Sequence, residues 1–497
     1  MSGPSRPPTS ISPTPVTATP STPTAPTPAT PTAPTPATPT APTTRPEPSA
    51  YWCELAWIPP GITPTPNVLV RVDRDRIVGV EPDTPSPPPG AKTLRGLTLP
   101  GLANVHSHAF HRALRGRTHR ASSEASSFWT WRTQMYDVAD RLDPDSYLDL
   151  ATATYAEMAL AGVTCVGEFH YLHHDRQGRS YAEPNVMADA LVAAARAAGL
   201  RIALLDACYL SGGIGLPLAG AQRRFGDGDV DRWADRVERL DHAYAAAADV
   251  VIGAAIHSVR AVPKDQLAGV VGWAAQRERP LHVHLSEQRR ENDDCVAAYG
   301  VSPTRLLFDA GALSPRTTAV HATHLDGDGI GLLAGTGTTI CLCPTTERDL
   351  ADGIAPAATL DRAGSRLVLG TDSHAVIDMF EEARALEHHE RLASGQRGHW
   401  SAAELLRAVT ESGHHALGTD DAGVISAGAR ADLVCVRLDS VRTAGATPDQ
   451  AADAAVFAAT SSDVDVVVAN GVLVVEDGRH RLLGDVAARL ERTIRAL

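Results

Sequence analysis

Between residues 98 and 370 the chain alternates two hydrophobic patterns. Short apolar runs occupy 98–105, 164–169, 201–208, 250–256, 280–285, 318–321, 338–342 and 366–370. Longer stretches, including 147–161, 185–198, 230–247 and 264–277, carry apolar residues at helical spacing. Unbroken apolar runs suit parallel strands covered on both faces, and the spaced stretches suit the helices that cover them. Eight strand–helix units over about 300 residues predict a (β/α)8 barrel of the TIM type. A doubly wound nucleotide-binding sheet would place a glycine-rich phosphate loop after the first strand, and the sequence has none there.

The flanks read differently. Short strand patterns at 68–72 and 77–80 are followed by proline-rich turns, and similar ones return at 431–436, 464–468 and 472–475, the last pair joined by Asn470-Gly471. Strand runs broken by such turns predict hairpins. The expectation is an α/β protein whose barrel, 98–418, interrupts a small β-sandwich domain built from 50–97 and 419–480, with a C-terminal helix over 481–497. Residues 1–49 hold sixteen of the 36 prolines and repeat the octad PTAPTPAT at 23–30 and 31–38. With so little apolar bulk, this tail is expected to be disordered.

The formal net charge of −13 argues against a nucleic-acid or anionic-membrane partner. No run approaches 18 apolar residues, and the N-terminus lacks the apolar core of a secretory signal. Seven scattered cysteines without a C-x-x-C pair read as reduced thiols, so a cytoplasmic location is expected.

Catalytic groups of such barrels sit at the C-terminal ends of the strands. The first strand ends in His106-Ser-His108, where a period of two puts both imidazoles on one face. Two nitrogens on one face suit a shared metal ion, although a polar strand end is the simpler reading. The fifth strand carries His282 and His284 and is followed by Glu287. His284 lies nearer the mouth, so it is the preferred ligand; His282 reads as a hydrogen-bonded barrel histidine. Glu287 is suited to shuttle a proton or, more simply, to be a solvated loop carboxylate. His321 ends the sixth strand, with His324 in the following loop. Asp372 follows the eighth strand, as a metal ligand, a base or the cap of a helix starting near Ala375.

Jointly, H-x-H on strand 1, histidines on strands 5 and 6 and an aspartate on strand 8 resemble the amidohydrolase superfamily, in its mononuclear aminohydrolase branch. The segments Gly423-Val-Ile-Ser-Ala-Gly428 and Ala431-Asp-Leu-Val434 agree. Ser107-His-Ala-Phe-His-Arg112, Phe128-Trp-Thr-Trp-Arg132, Gly167-Glu-Phe-His-Tyr171, His257-Ser-Val-Arg260, His284-Leu-Ser-Glu-Gln288 and Gly370-Thr-Asp-Ser-His374 narrow the likeness to the N-formimino-L-glutamate deiminase family. The resemblance implies one divalent metal ion, Zn²⁺ first, with Fe²⁺ or Mn²⁺ also compatible. Its ligands would be His106, His108, His284 and Asp372, with Glu287, His321 and Asp372 as the catalytic set. It implies a small dicarboxylate substrate contacted by Tyr171, His257 and Arg260, and a homodimer. His111 stands where the family usually has a glutamine, and an imidazole cannot copy an amide's donor–acceptor pair. Arg260 offers a fork for a carboxylate. Arg132 belongs to an aromatic run, Trp129-Thr-Trp131, that reads either as a mobile lid or as structural packing, and Arg112, Arg115, Arg117 and Arg120 form a basic cluster that either steers an anion or faces solvent. Two other readings are a deaminase or hydrolase of purine-like or chlorotriazine rings, and a barrel that has become a non-catalytic scaffold.

Overall fold

The computed structural model describes residues 49–497 apart from 60, 62 and 119–127. The tail expected over 1–49 therefore lies, but for Ser49, outside the described residues. Two eight-stranded sheets organise the rest.

The N-terminal flank forms β1 (Ala50–Ala56), β2 (Thr65–Asp73), β3 (Arg76–Glu81) and β4 (Lys92–Pro100). The barrel strands follow as β5 (Leu102–Ser107), β6 (Val163–His170), β7 (Arg201–Cys208), β8 (Val250–Ile256), β9 (Leu281–Leu285), β10 (Thr317–His321), β11 (Thr339–Leu342) and β12 (Leu367–Leu369). The C-terminal flank supplies β13 (Leu433–Val436), β14 (Val464–Ala469), β15 (Val472–Glu476) and β16 (Arg479–His480).

β5 to β12 pair in sequence order, all parallel. Every residue of β5, β6 and β7 is buried, as strands covered on both faces require. Backbone bonds past the ends of β12 and β5 join the two edges: His106 O accepts from Thr371 N at 3.1 Å and Asp372 N at 2.9 Å, and His108 N donates to Asp372 O at 3.3 Å. Gly370 makes this approach possible, because a Cβ there would stand 2.7 Å from the His106 backbone nitrogen. The closure brings the two ends of the barrel sequence, His106 and Asp372, side by side.

The second sheet has the order β16-β15-β14-β13-β4-β1-β2-β3, with β1 and β4 parallel and the other neighbours antiparallel. Its two arms share one core, in which Val68 and Val70 are grouped with Leu433, Cys435, Val466 and Val468. The run expected as one strand over 98–105 is in fact two. Thr98 to Pro100 belong to β4 and pair with β13, while the barrel starts at Leu102. Gly101 is the break: its N–H donates to Asp432 O at 3.0 Å, and a Cβ would meet Thr164 Oγ1 at 2.2 Å. The same Asp432 takes a buried ion pair from Arg201, Nη1 to Oδ1 at 3.0 Å, which ties the start of β7 to the small sheet.

A helix over Phe128–Arg141 carries the aromatic run, with Phe128 and Trp131 buried. All seven cysteines are free and buried. Among the described residues no helix is long and apolar enough to cross a membrane.

Candidate active site

The C-terminal ends of β5, β9, β10 and the β12 loop converge on one cluster of buried side chains. His106 Nε2 lies 3.0 Å from His284 Nε2 and 3.4 Å from Asp372 Oδ1; His108 Nε2 is also 3.4 Å from Asp372 Oδ1. The ring protons of His108 and His284 are directed outward, His108 Nδ1 donating to Phe169 O at 2.9 Å and His284 Nδ1 to His257 O at 2.8 Å. Their Nε2 lone pairs therefore point inward, an arrangement that also orients metal-ligating histidines. Four ligand atoms held about 2.0–2.1 Å from a tetrahedral ion stand roughly 3.3–3.4 Å apart. The three spacings above are of that order, His106, His108 and His284 can each bring a ligand atom within 4.8 Å of the others, and inward lone pairs beside a carboxylate suit a cation. The donor set suits a divalent metal ion.

Electrostatics agree. Burial, followed by the neighbouring His106, pushes His108 down to about 3. Burial also lowers His106 and His284, so all three rings are neutral, the form that binds metal. Burial opposes the charge on Asp372, but the hydrogen bond from His106 and the charge of His321 outweigh it and hold the carboxyl well below its usual range. Asp372 and His321 both sit at positive φ, 40° and 71°. Such backbone strain at strand ends is characteristic of sites where side-chain direction is imposed by the surroundings.

Glu287 follows β9 and is buried. Burial lifts its carboxyl to about 7. Its Oε1 stands 3.9 Å from His321 Nε2. Burial also disfavours a charged His321, yet the carboxylates of Glu287, Glu347 and Asp372 hold its pKa well above the ordinary value. A carboxyl poised near neutrality beside a histidine is equipped to give and take protons.

Two neighbouring cavities with shared lining residues lie at this end of the barrel, and the inner one reaches the cluster. The inner one, about 50 Å³, is bordered by His108, His111, Tyr171, His257, Arg260, Glu287 and Asp372. The outer one, about 490 Å³, shares Arg132, Tyr209, His257 and Arg260 with it. The Tyr171 hydroxyl and His111 Nε2 are hydrogen-bonded at 2.9 Å, and Trp131 meets the His111 ring edge-on at 5.1 Å. His111 thus spends one nitrogen on Tyr171.

Arg260 departs from the open fork expected of it. Its Nε donates to Glu291 at 2.8 Å, and Nη2 lies 3.8 Å from Glu287 Oε2. Only its terminal nitrogens remain for a ligand. Arg132, by contrast, has no acidic partner among the described residues. Its guanidinium lies over Trp129 at 4.6 Å and Tyr136 at 5.5 Å, at the border of both cavities. The basic cluster is pinned elsewhere. Arg112 and Arg115 both pair with Glu157 at 2.6 Å, and Arg117 donates to Ile494 O; Arg120 lies outside the described residues. His282 Nε2 is bonded to Ala416 O at 3.3 Å, deep in the barrel and apart from the cluster. The helix expected near Ala375 begins at Met379, and its cap is Asp378, not Asp372. His170, His173 and Asp206 also approach one another, but both Asp206 oxygens are taken by Arg236 at 2.8 Å.

Sequence reasoning passed over Glu347, which stands 3.4 Å from His321 Nδ1, and Glu291, which anchors Arg260. Both sit in the first turn of a helix, where a glutamate ordinarily serves the helix dipole. Nothing in their local pattern distinguishes them from that use.

The amidohydrolase family model matches residues 97–474. The formimidoylglutamate deiminase of Pseudomonas aeruginosa is 37% identical over 441 residues, which is 87% of this chain and 96% of that protein. The crystal structure of an amidohydrolase from Brucella melitensis superposes with a TM-score of 0.83 at 32% identity, covering 90% of this chain and 99% of that one. An adenosine deaminase from Xanthomonas campestris with bound zinc superposes at 0.77 with 27% identity, covering 90% and 98%. A closed eight-stranded barrel, a histidine–aspartate cluster at its mouth and a family match spanning both agree: the chain belongs to the amidohydrolase family.

Proposed function

We propose that the protein hydrolyses the formimino group of N-formimino-L-glutamate, releasing ammonia and N-formyl-L-glutamate, a step of histidine degradation. The observation that carries this reading is the pair of guanidinium groups, Arg132 and Arg260, bordering the cavity that also holds the histidine–aspartate cluster. Two positive groups in an acidic protein suit a substrate with two carboxylates. The similarity to the P. aeruginosa deiminase supports the same substrate. Purine-like or triazine substrates would find an aromatic wall in Tyr136, Tyr171, Tyr209 and Phe225, but no amide side chain borders the inner cavity among the described residues.

In this reading one divalent ion, Zn²⁺ in the first instance, is held by His106, His108, His284 and Asp372. When bound, such an ion supplies Lewis acidity and brings the ionisation of water into the neutral range. Asp372 takes a proton from the attacking water, and His321 orients that water toward the formimino carbon. Glu287, kept protonated near neutrality by burial, delivers one proton to the imino nitrogen, and the proton held by Asp372 passes to the same nitrogen, which leaves as ammonia as the tetrahedral carbon collapses to the formamide and returns its hydroxyl proton to Glu287. Tyr171, His111 and His257 border the reacting end, while Arg260 and Arg132 hold the carboxylates. The inner cavity is far smaller than the roughly 300 Å³ of a typical ligand site, so the glutamate moiety extends into the outer one. The protein is taken to work in the cytoplasm as a homodimer.

An ammonia-release assay of metal-replete protein with formiminoglutamate, guanine and a chlorotriazine tests the proposal, with metal content measured on the same sample. Release from formiminoglutamate well above the other two is expected. Preference for a ring substrate overturns the substrate assignment, and release from none of the three overturns the enzymatic reading.

A further inference from the structure

We infer that Glu347 is the positioning residue for His321, holding its ring by Nδ1 so that Nε2 faces Glu287 and the reacting water. The inference rests on the function proposed above. β10 ends at His321, and both His321 and Ala322 adopt positive φ, 71° and 52°. That left-handed pair ends the strand, and three neighbours hold the imidazole. The ring stacks on His284, centroids 5.6 Å apart at 21°, and Nε2 lies 3.9 Å from Glu287 Oε1. On the opposite edge Nδ1 lies 3.4 Å from Glu347 Oε1.

Glu347 is itself immobilised. It is buried on the short helix Pro344–Asp349, which follows β11. The same Oε1 accepts the Cys343 N–H at 2.9 Å, at the base of that helix. One carboxylate oxygen thus serves two donors, one from its own helix and one from the neighbouring strand. A carboxylate that takes Nδ1–H fixes the ring's orientation and leaves its Nε2 edge for chemistry. The alternative role is purely local: Glu347 closes its own helix through Cys343, and its closeness to His321 is incidental.

A double-mutant cycle separates the two. With formiminoglutamate, E347A is expected to lower kcat by about 10–100-fold, the usual effect of losing a carboxylate behind an active-site histidine, with KM and metal content unchanged. E347Q, which keeps an oxygen acceptor, is expected to lose less. In an H321A background, E347A should cost less than about twofold further, because groups that act as a unit are not additive. An equal cost in both backgrounds, or an unchanged kcat in E347A, overturns the inference. If E347A does not fold, E347L, which fills the space without an acceptor, carries the same cycle. Proton NMR of ¹⁵N-histidine-labelled protein reads the pair without substrate. A downfield Nδ1–H resonance of His321 is expected in the parent and absent in E347A; its persistence in E347A, or in E347L when E347A is unfolded, overturns the inference. A parent with that resonance but no turnover of formiminoglutamate refutes the substrate proposal and leaves this one standing.

Discussion

His106 and His284 come from strands on opposite sides of the barrel, yet their Nε2 atoms stand 3.0 Å apart. His284 has already given its Nδ1 proton to His257 O, so its Nε2 carries a lone pair. Asp372 reaches the same point from the β12 loop. A cation held among these three groups would favour their close approach.

Metal removal therefore has a structural as well as a catalytic consequence. Chelation is expected to abolish ammonia release and lower the melting temperature, and added Zn²⁺ to restore both. Free metal at a thousandfold excess over Kd stabilises the fold by about 4 kcal/mol. Elemental analysis should find one ion per chain in the parent and none in H284A; full occupancy in H284A would remove His284 from the ligand set.

The Glu287 carboxyl, lifted to about 7 by burial, carries the proton in the proposed reaction. E287Q is expected to keep its metal and lose about 10²–10⁴-fold in kcat, the range typical of a positioned acid–base group. A kcat near the parent's would assign proton delivery elsewhere.

The two arginines should act on binding. R260A and R132A are each expected to raise KM about 10–100-fold with a smaller change in kcat, as losing a charge-assisted hydrogen bond of about 1.5–3 kcal/mol implies. Steady-state kinetics on substrates with either carboxylate converted to an amide will show which arginine reads which end. An arginine whose removal leaves KM unchanged for every substrate makes no such contact.

Beneath the cluster, Glu168 accepts from Ser107 Oγ at 2.6 Å and Ala109 N at 2.7 Å. Burial raises its carboxyl to about 8. The folded state then holds this proton more tightly than the unfolded chain, whose carboxyl titrates near 4.5. The resulting stabilisation is complete below about pH 4.5 and is lost as pH rises through about 8. Urea midpoints at pH 5.5 and 8.5, measured with metal chelated in both proteins, should converge in E168Q relative to the parent. Equal pH dependence in the two would show that Glu168 ionises normally.

Much of the fold is legible along the chain because barrel strands are local features. The expected runs 201–208 and 250–256 coincide with β7 and β8 residue for residue. The run over 98–105 failed for a definite reason. Apolar continuity cannot register a change of sheet, and Thr98 to Pro100 are as buried in the small domain as β5 is in the barrel. In the site, strand-end histidines stand out by period and position. Glu347 and Glu291 do not, because their roles depend on residues brought up by other strands.

The order and spacing of residues by themselves determine that eight buried strands alternate with helices, and that His106, His108, His284, His321 and Asp372 stand at strand ends. Hydrophobic period and chain position are local and survive translation into structure. Tertiary structure alone decides which atoms meet. It turns the His108 and His284 lone pairs inward, commits Arg260 Nε to Glu291, and sets Glu347 behind His321. It also leaves Arg132 without an acidic partner among the described residues, over two aromatic rings. Each of these depends on hydrogen-bond or ring partners supplied by the packing of neighbouring elements, and local pattern does not record the partner.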